Sequence, residues 1–169
     1  PINGSNNFHS LVSKLVDDSA NKIKKNLQAD DVVLVSDFVN LDKLKNKSQL
    51  GFLLSSMLKD SLVSLNIIVR EVEFGKEFEF VKSGFNLLTR EKDRILSDKV
   101  KSRYAVVGTY SITSRSLNVF IKLIDINTGY ILSSSYARTD IDDEILGLEG
   151  NSEGGSTKKA PASRPFLVL

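Results

Sequence analysis

The sequence predicts an α/β (α+β) fold. A βαβ unit and a C-terminal antiparallel three-strand meander form one mixed sheet, with helices packed on it. Three observations carry this reading. Arg103 to Ala137 holds three runs of β-type residues separated by turn signals. In the middle run Leu117, Val119, Ile121 and Leu123 alternate with Asn118, Phe120, Lys122 and Ile124, a period of two that places the first set on one face. Upstream, a strand, a leucine-rich helix and a second strand follow one another between residues 31 and 72, behind a long amphipathic helix.

Pro1 to Asn7 is polar and reads as a loose leader. Phe8, Leu11, Val12, Leu15, Val16, Ala20, Ile23 and Leu27 then recur at helical spacing, opposite Lys14, Asp17, Asp18, Lys24 and Lys25. This helix lays its apolar stripe on the sheet. Asp31 to Phe38 is a short apolar run of the kind a strand buried on both faces shows. A Lys-rich loop leads to Ser48, an N-cap for the next helix. There Leu50, Leu53, Leu54, Met57, Leu58, Leu62 and Leu65 form a broad apolar face, and Asn66 is the stop. Ile67 to Val72 is the second strand, parallel to the first through a right-handed crossover.

Glu73 to Phe85 is less regular and fits either a hairpin or an ordered loop. Arg90 to Lys101 reads as a short helix around Ile95, Leu96 and Val100. The meander follows, with strands in Tyr104–Thr113, Leu117–Ile124 and Tyr130–Tyr136. Asp125-Ile126-Asn127-Thr128-Gly129 makes a tight turn between the last two. Asp125 accepts a turn N–H there, Asn127 tolerates the left-handed region and Gly129 supplies positive φ. Residues 8–146 form one domain. Residues 147–169 form a flexible Gly/Ser/Lys/Pro tail, a composition that buries too little apolar surface to fold alone, ending in the apolar tip Phe166-Leu167-Val168-Leu169.

The chain has 169 residues, 41% hydrophobic and 26% charged, enough for one domain with a sizeable core. Its net charge of +2 does not make a nucleic-acid surface. No apolar run approaches the length of a membrane span. With no cysteine, disulfides, thiol catalysis and thiolate metal sites are excluded. The chain opens at Pro1 without a Met and reads as a trimmed form whose signal segment lay upstream.

No constellation of catalytic groups rises above background, and no catalytic, cofactor or metal residue is expected. His9, the only histidine, reads as an exposed or capping residue. Val107-Gly108-Thr109 has one glycine in a strand pattern, the mark of close packing or a bulge rather than a phosphate loop. Asp37 and Asp42 lie beyond the first strand, where open α/β sheets bind ligands, yet Asp in that position also forms ordinary turns. Asp140, Asp142, Asp143 and Glu144 lack the glycine and spacing of a calcium loop and read as a solvated turn. Phe74, Phe78 and Phe80 either offer a partner surface or close one end of the core. Phe166, Leu167 and Val168 have the character of a short strand that docks on a sheet edge or apolar groove, its own or a neighbour's.

Several segments, taken in order, resemble the FlgO family of flagellum-associated outer-membrane lipoproteins. They are Val32-Val33-Leu34-Val35-Ser36-Asp37-Phe38-Val39-Asn40-Leu41-Asp42, Ser48-Gln49-Leu50-Gly51 with the helix into Asn66-Ile67-Ile68-Val69-Arg70-Glu71-Val72, Phe85-Asn86-Leu87-Leu88-Thr89-Arg90-Glu91, Tyr104-Ala105-Val106-Val107-Gly108-Thr109-Tyr110, and Leu123-Ile124-Asp125 with Thr128-Gly129-Tyr130-Ile131-Leu132. The layout is also similar to the N-terminal domain of the TolB translocation protein and the periplasmic domain of curli secretion lipoproteins. Asn66 stands where the family usually has glycine, and the tail matches nothing in it. The resemblance implies a non-enzymatic structural or assembly module facing the periplasm at the outer membrane and needed for motility. It also implies flagellar or envelope proteins as partners and a lipid anchor on a cysteine removed upstream of Pro1. A homo-oligomer built through the tail tip is a further expectation. The rival reading is an envelope domain of the same architecture that binds peptidoglycan or a small ligand, motivated by the polar strand ends near Asp37 and Arg70.

Overall fold

A computed structural model of the chain describes residues 4–42, 48–73, 78–81, 84–87 and 101–154. The elements are α1 (Gly4–Lys24), β1 (Asp31–Val35), β2 (Val39–Asn40), α2 (Gln49–Ser64), β3 (Ile68–Glu71), β4 (Phe78–Val81), β5 (Gly84–Leu87), β6 (Lys101–Ile112), β7 (Ser116–Asp125), β8 (Ile131–Asp140) and α3 (Asp143–Gly154). Six strands form a mixed sheet in the order β3-β1-β6-β7-β8, with β2 pairing β6 beyond the end of β1. β1 is parallel to both β3 and β6, and β2 is parallel to β6. β6, β7 and β8 are the antiparallel meander. β4 and β5 pair as a separate hairpin, which decides between the two readings of residues 73–85. The expected architecture is therefore present: βαβ unit, meander and helices on a mixed sheet.

β1 sits between two neighbours and all five of its residues are buried, as its unbroken apolar run requires. Val33 and Val35 share a face with Val106, Tyr110, Leu117, Val119, Ile121 and Leu123, and that face takes the apolar stripes of α1 and α2. From α1 come Phe8, Val12, Leu15, Val16, Ala20 and Ile23; from α2 come Leu50, Leu54, Leu58 and Leu62. In β7 the odd-numbered set is buried and the even-numbered set is half-exposed, as the alternation dictates. Val32, Leu34, Ala105 and Val107 are buried on the opposite face.

α2 is closed at both ends by its own chemistry. The Ser48 hydroxyl accepts from the Gly51 N–H at 2.9 Å. At the other end Asn66 takes φ 64°, while Asn66 and Ile67 N–H groups donate to the Val63 and Leu62 carbonyls. That is a Schellman closure, in which Asn replaces the usual glycine. It turns the chain sharply enough to start β3 two residues later.

β1 stops at Val35 rather than Phe38, and β8 runs on to Asp140, paired with Ser116, rather than ending at Tyr136 with Asp140 in a turn; three further boundaries differ from the sequence reading. α1 starts at Gly4 rather than Phe8, because no helix breaker separates the polar leader from a stripe already committed to the sheet. Lys101 is a strand residue at the start of β6 rather than a helix end; the rest of the expected helix, residues 90–100, lies outside the described residues. The third difference is α3, which carries helix from Asp143 through Gly154, across the point at Gly147 where the flexible tail was placed. Asp142 caps it, its Oδ1 accepting from the Ile145 N–H at 2.9 Å, and Ile145 is wholly buried. Packing overrides a poor helical composition. The remainder of the tail, residues 155–169, lies outside the described residues.

The β7–β8 turn is fastened by one carboxylate. Asp125 Oδ1 accepts from the N–H groups of Asn127 (2.9 Å) and Thr128 (3.3 Å), and the Gly129 N–H donates to the Asp125 carbonyl at 2.7 Å. Gly129 adopts φ 77°, whereas Asn127 does not need the left-handed region. Asp125 Oδ2 accepts from Arg103 Nε at 3.1 Å and Nη2 at 2.9 Å. Burial works to raise the carboxyl's pKa, but the hydrogen bonds from Arg103, Thr128 and Asn127 outweigh it and hold it below the ordinary carboxylate range. A depressed folded-state pKa adds stability that is complete above the unfolded value, about 3.9, and disappears as pH falls through the folded one. Asp125→Asn is expected to lower the melting temperature at pH 7, with the gap to the parent closing below about pH 4. Circular-dichroism melts at stepped pH read this directly, and a gap that stays constant to pH 2 contradicts it.

Candidate functional site

Immediately after β1 the chain must turn aside, and Phe38 makes it do so. Its ring is fully buried over Gly108 of β6, where a Cβ would overlap the ring. A Cβ on Gly51 of α2 would overlap the Phe38 carbonyl oxygen, and the Phe38 N–H donates to the Gly51 carbonyl at 3.2 Å. Two glycines thus let one aromatic residue lie against a strand and a helix at once. Beyond it β2 pairs with β6 at Val39–Thr109 and Asn40–Tyr110.

This seating gathers four polar side chains at the carboxyl end of the parallel strands. They are Asn40 of β2, Ser48 at the start of α2, Tyr110 of β6 and Glu149 of α3. Tyr110 is fully buried. Its oxygen is 2.7 Å from Ser48 Oγ and 2.5 Å from Glu149 Oε1. Asn40 Nδ2 donates to Glu149 Oε2 at 2.7 Å, and Asn40 Oδ1 accepts from the Asp42 N–H at 2.9 Å. Burial first, then the neighbouring Glu149 carboxylate, pushes the Tyr110 hydroxyl far above the usual phenol range, so it stays protonated. A carboxylate can only accept, so the single Tyr110 proton goes to Glu149 and the Ser48 hydroxyl must donate to the Tyr110 oxygen. The result is a directed chain from the Gly51 N–H through Ser48 and Tyr110 to Glu149, each bond polarising the next.

The arrangement is suited to holding a carboxylate rather than to reacting. Ser48 has no base to take its proton, because its hydroxyl is committed to a tyrosine that donates onward. Elsewhere Asp37 Oδ1 accepts from the Ser55 hydroxyl at 3.1 Å, and Asp42 is exposed at the end of β2. His9 is exposed on α1, its Nε2 3.5 Å from Glu144 Oε2. Asp142 and Asp143 open α3, with Asp142 as its cap. Among the described residues no group of three metal-ligating side chains converges, and no helix is long and apolar enough to cross a membrane.

Phe78 and Phe80 lie on β4 of the separate hairpin; Phe74, Phe166, Leu167 and Val168 lie outside the described residues. Sequence reasoning noted Asp37 and Asp42 at this end of the sheet, as ligand-binding or ordinary turn residues, and it marked Ser48 as a cap. It missed Tyr110, which reads as one more β-former, and Glu149, which lies in the Gly-rich stretch. The sequence signal for the pair was a polar-tipped aromatic on the buried phase of a strand, which demands a partner.

Tyr110→Phe leaves Ser48 and Glu149 without their shared partner. It is expected to cost about 1–3 kcal/mol, read as a lower urea midpoint at unchanged slope. A midpoint equal to the parent's would remove the hydroxyl from the network.

The LpoB C-terminal domain from Salmonella enterica matches the fold with a TM-score of 0.51 at 16% identity, over 78% of this chain and 97% of that one. The LpoB C-terminal domain from Escherichia coli gives 0.49 at 16%, over 78% and 98%. The PelC dodecamer from Paraburkholderia phytofirmans gives 0.44 at 18%, over 68% and 75%. At such identities the first of these likenesses is one of fold alone. No curated protein matches the chain in sequence. The sequence pattern of the FlgO protein family, in contrast, matches residues 9–143, from the start of the α1 stripe through all of β8, and the chain belongs to the FlgO family.

Proposed function

We propose that this protein is a non-enzymatic structural or assembly module of the bacterial cell envelope, facing the periplasm at the outer membrane and serving the flagellum. The observation that carries the reading is family membership across residues 9–143. The geometry supports it in two ways. The polar cluster at the strand ends is saturated with hydrogen bonds and holds its one tyrosine proton out of reach of titration, which suits recognition better than proton transfer.

Among the described residues the sheet also ends in β8, a ten-residue edge strand with Ile131, Leu132 and Tyr136 exposed along it and Tyr130 exposed beside it. An edge of that length offers main-chain donors and acceptors to a flagellar or envelope partner, or to a second copy. Lys22 reaches over to donate to the Ser134 carbonyl at 3.1 Å, a charged side chain placed where it restrains indiscriminate pairing.

Clean deletion of the gene is expected to shrink the swimming halo in soft agar while flagellin is still exported, with recovery on complementation. Normal swimming by the deletion strain would remove the flagellar reading.

A further inference from the structure

We propose that the face of the sheet turned away from α1 and α2 carries, on β7 and β8, a binding platform for an anionic glycan strand of the cell wall. The proposal rests on the envelope placement above and goes beyond it: the site lies on the face of the sheet, apart from the β8 edge. Strand phase builds it. Odd-numbered residues of β7 are buried under the helices, and its even-numbered ones face the other way. On β8 the even-numbered residues are the exposed set. The register therefore lays Lys122–Ser134, Phe120–Tyr136 and Asn118–Arg138 on that face as three successive cross-strand pairs. The Ile141 N–H donates to the Arg115 carbonyl at 3.0 Å. That bond sets the phase of the ladder and makes all three pairs the close, non-hydrogen-bonded kind, whose side chains meet.

The ring at the centre is fixed before a ligand arrives. Tyr136 is 54% exposed, yet its ring lies 4.9 Å from that of Phe120, tilted by 31°. Its hydroxyl donates to Asn118 Oδ1 at 2.8 Å, and Asn118 Nδ2 donates to Ser116 Oγ at 3.4 Å, which aims the amide. An exposed aromatic held at its flank and at its tip has already lost the rotamer freedom that binding would otherwise remove.

Charge then selects the ligand. Lys122 and Arg138 flank the ring pair from opposite strands, about 13 Å apart along the strand direction. Among the described residues neither makes an ion pair. Of the even-numbered residues of β7 and β8, Asp140 alone is acidic, and it lies beyond Arg138 at the strand end. A flat ring on an open face offers stacking, and two cations that far apart ask for a ligand with repeated negative charge. Peptides read sheet edges and grooves through main-chain bonds and side-chain pockets, whereas main-chain groups here lie in the plane of the sheet. A cell-wall glycan supplies what this face lacks: a sugar ring whose C–H face covers Tyr136, hydroxyls for Asn118 and Ser134, and carboxylates for Lys122 and Arg138.

The test uses the full chain and purified, protein-free peptidoglycan sacculi as the probe, with the pelleted fraction measured after centrifugation. Sacculi are expected to carry the chain down at low salt and to release much of it as salt is raised. Tyr136→Leu keeps an apolar strand residue without the ring, and is expected to weaken binding at least about fivefold. Lys122→Gln/Arg138→Gln is expected to weaken it at least about fivefold and to abolish the salt dependence. Circular-dichroism melts check that each variant folds, and the charge pair decides the question if Tyr136→Leu does not. Chitin, a ring polymer without carboxylates, should pellet the chain at least about fivefold less well. Failure to pellet with sacculi would overturn the proposal, as would binding indifferent to both variants or equal binding to chitin. Preferential binding to lipopolysaccharide vesicles, or full release from sacculi by poly-glutamate at matched carboxylate concentration, would give the face to another anion and overturn it as well. A normal swimming halo in the deletion strain removes the flagellar reading and leaves this one standing.

Discussion

The structure depends on one close contact: the Phe38 ring lying flat over Gly108. A parallel strand buried on both faces, like β1, has to leave the sheet without exposing its last apolar residues or stranding its backbone groups. Phe38 achieves both. Its ring fills the space over β6 that a side chain at 108 would otherwise take, and its N–H and carbonyl are held against the first turn of α2 at Gly51. The close approach fixes how near α2 sits to the sheet, and with it the depth at which Leu50, Leu54, Leu58 and Leu62 enter the core. A ring that cannot shift in a close-packed interior transmits its position to everything around it.

The polar cluster is a consequence of that seat. Once Phe38 has turned the chain, β2 resumes against β6 for two residues and delivers Asn40 opposite Tyr110. The same contact brings the Ser48 cap within reach of the Tyr110 hydroxyl. Buried donors without partners would cost more than the network returns. The domain therefore needs a carboxylate at this point, and Glu149 supplies it from α3. These four side chains, together with the buried Ile145, hold α3 in place, which is why a helix so poor in propensity persists.

Much of the fold was legible in the residues because local and global demands agreed. The alternation of Leu117 to Ile124 is a statement about a sheet with one face on the core, and the burial of β7 follows it residue by residue. Asp125 and Gly129 announced their turn, Ser48 its cap and Asn66 its stop, each through backbone chemistry confined to a few neighbours. Gly108 was marked as close packing, but which ring lay over it depends on residue 38, seventy positions away. The site was less legible for the same reason. Tyr110, Glu149 and Asn40 are ordinary in their own segments and become a unit only through tertiary contact. α3 was misread because its glycines describe a helix that does not stand alone, while Ile145 and Glu149 hold it in place.

The most direct measurement of this account is a double-mutant cycle between residues 38 and 108. Gly108→Ala alone is expected to destabilise by at least about 1–3 kcal/mol through overlap with the ring, and Phe38→Leu alone by a comparable amount through lost packing. If the seat is the governing contact, the alanine Cβ finds space beside the shorter leucine. The double variant is then more stable than the sum of the two losses predicts, by about 1–3 kcal/mol in urea unfolding. Losses that add to within about 0.5 kcal/mol would mean the two residues do not constrain each other, and the account of how this end of the sheet is built would be wrong.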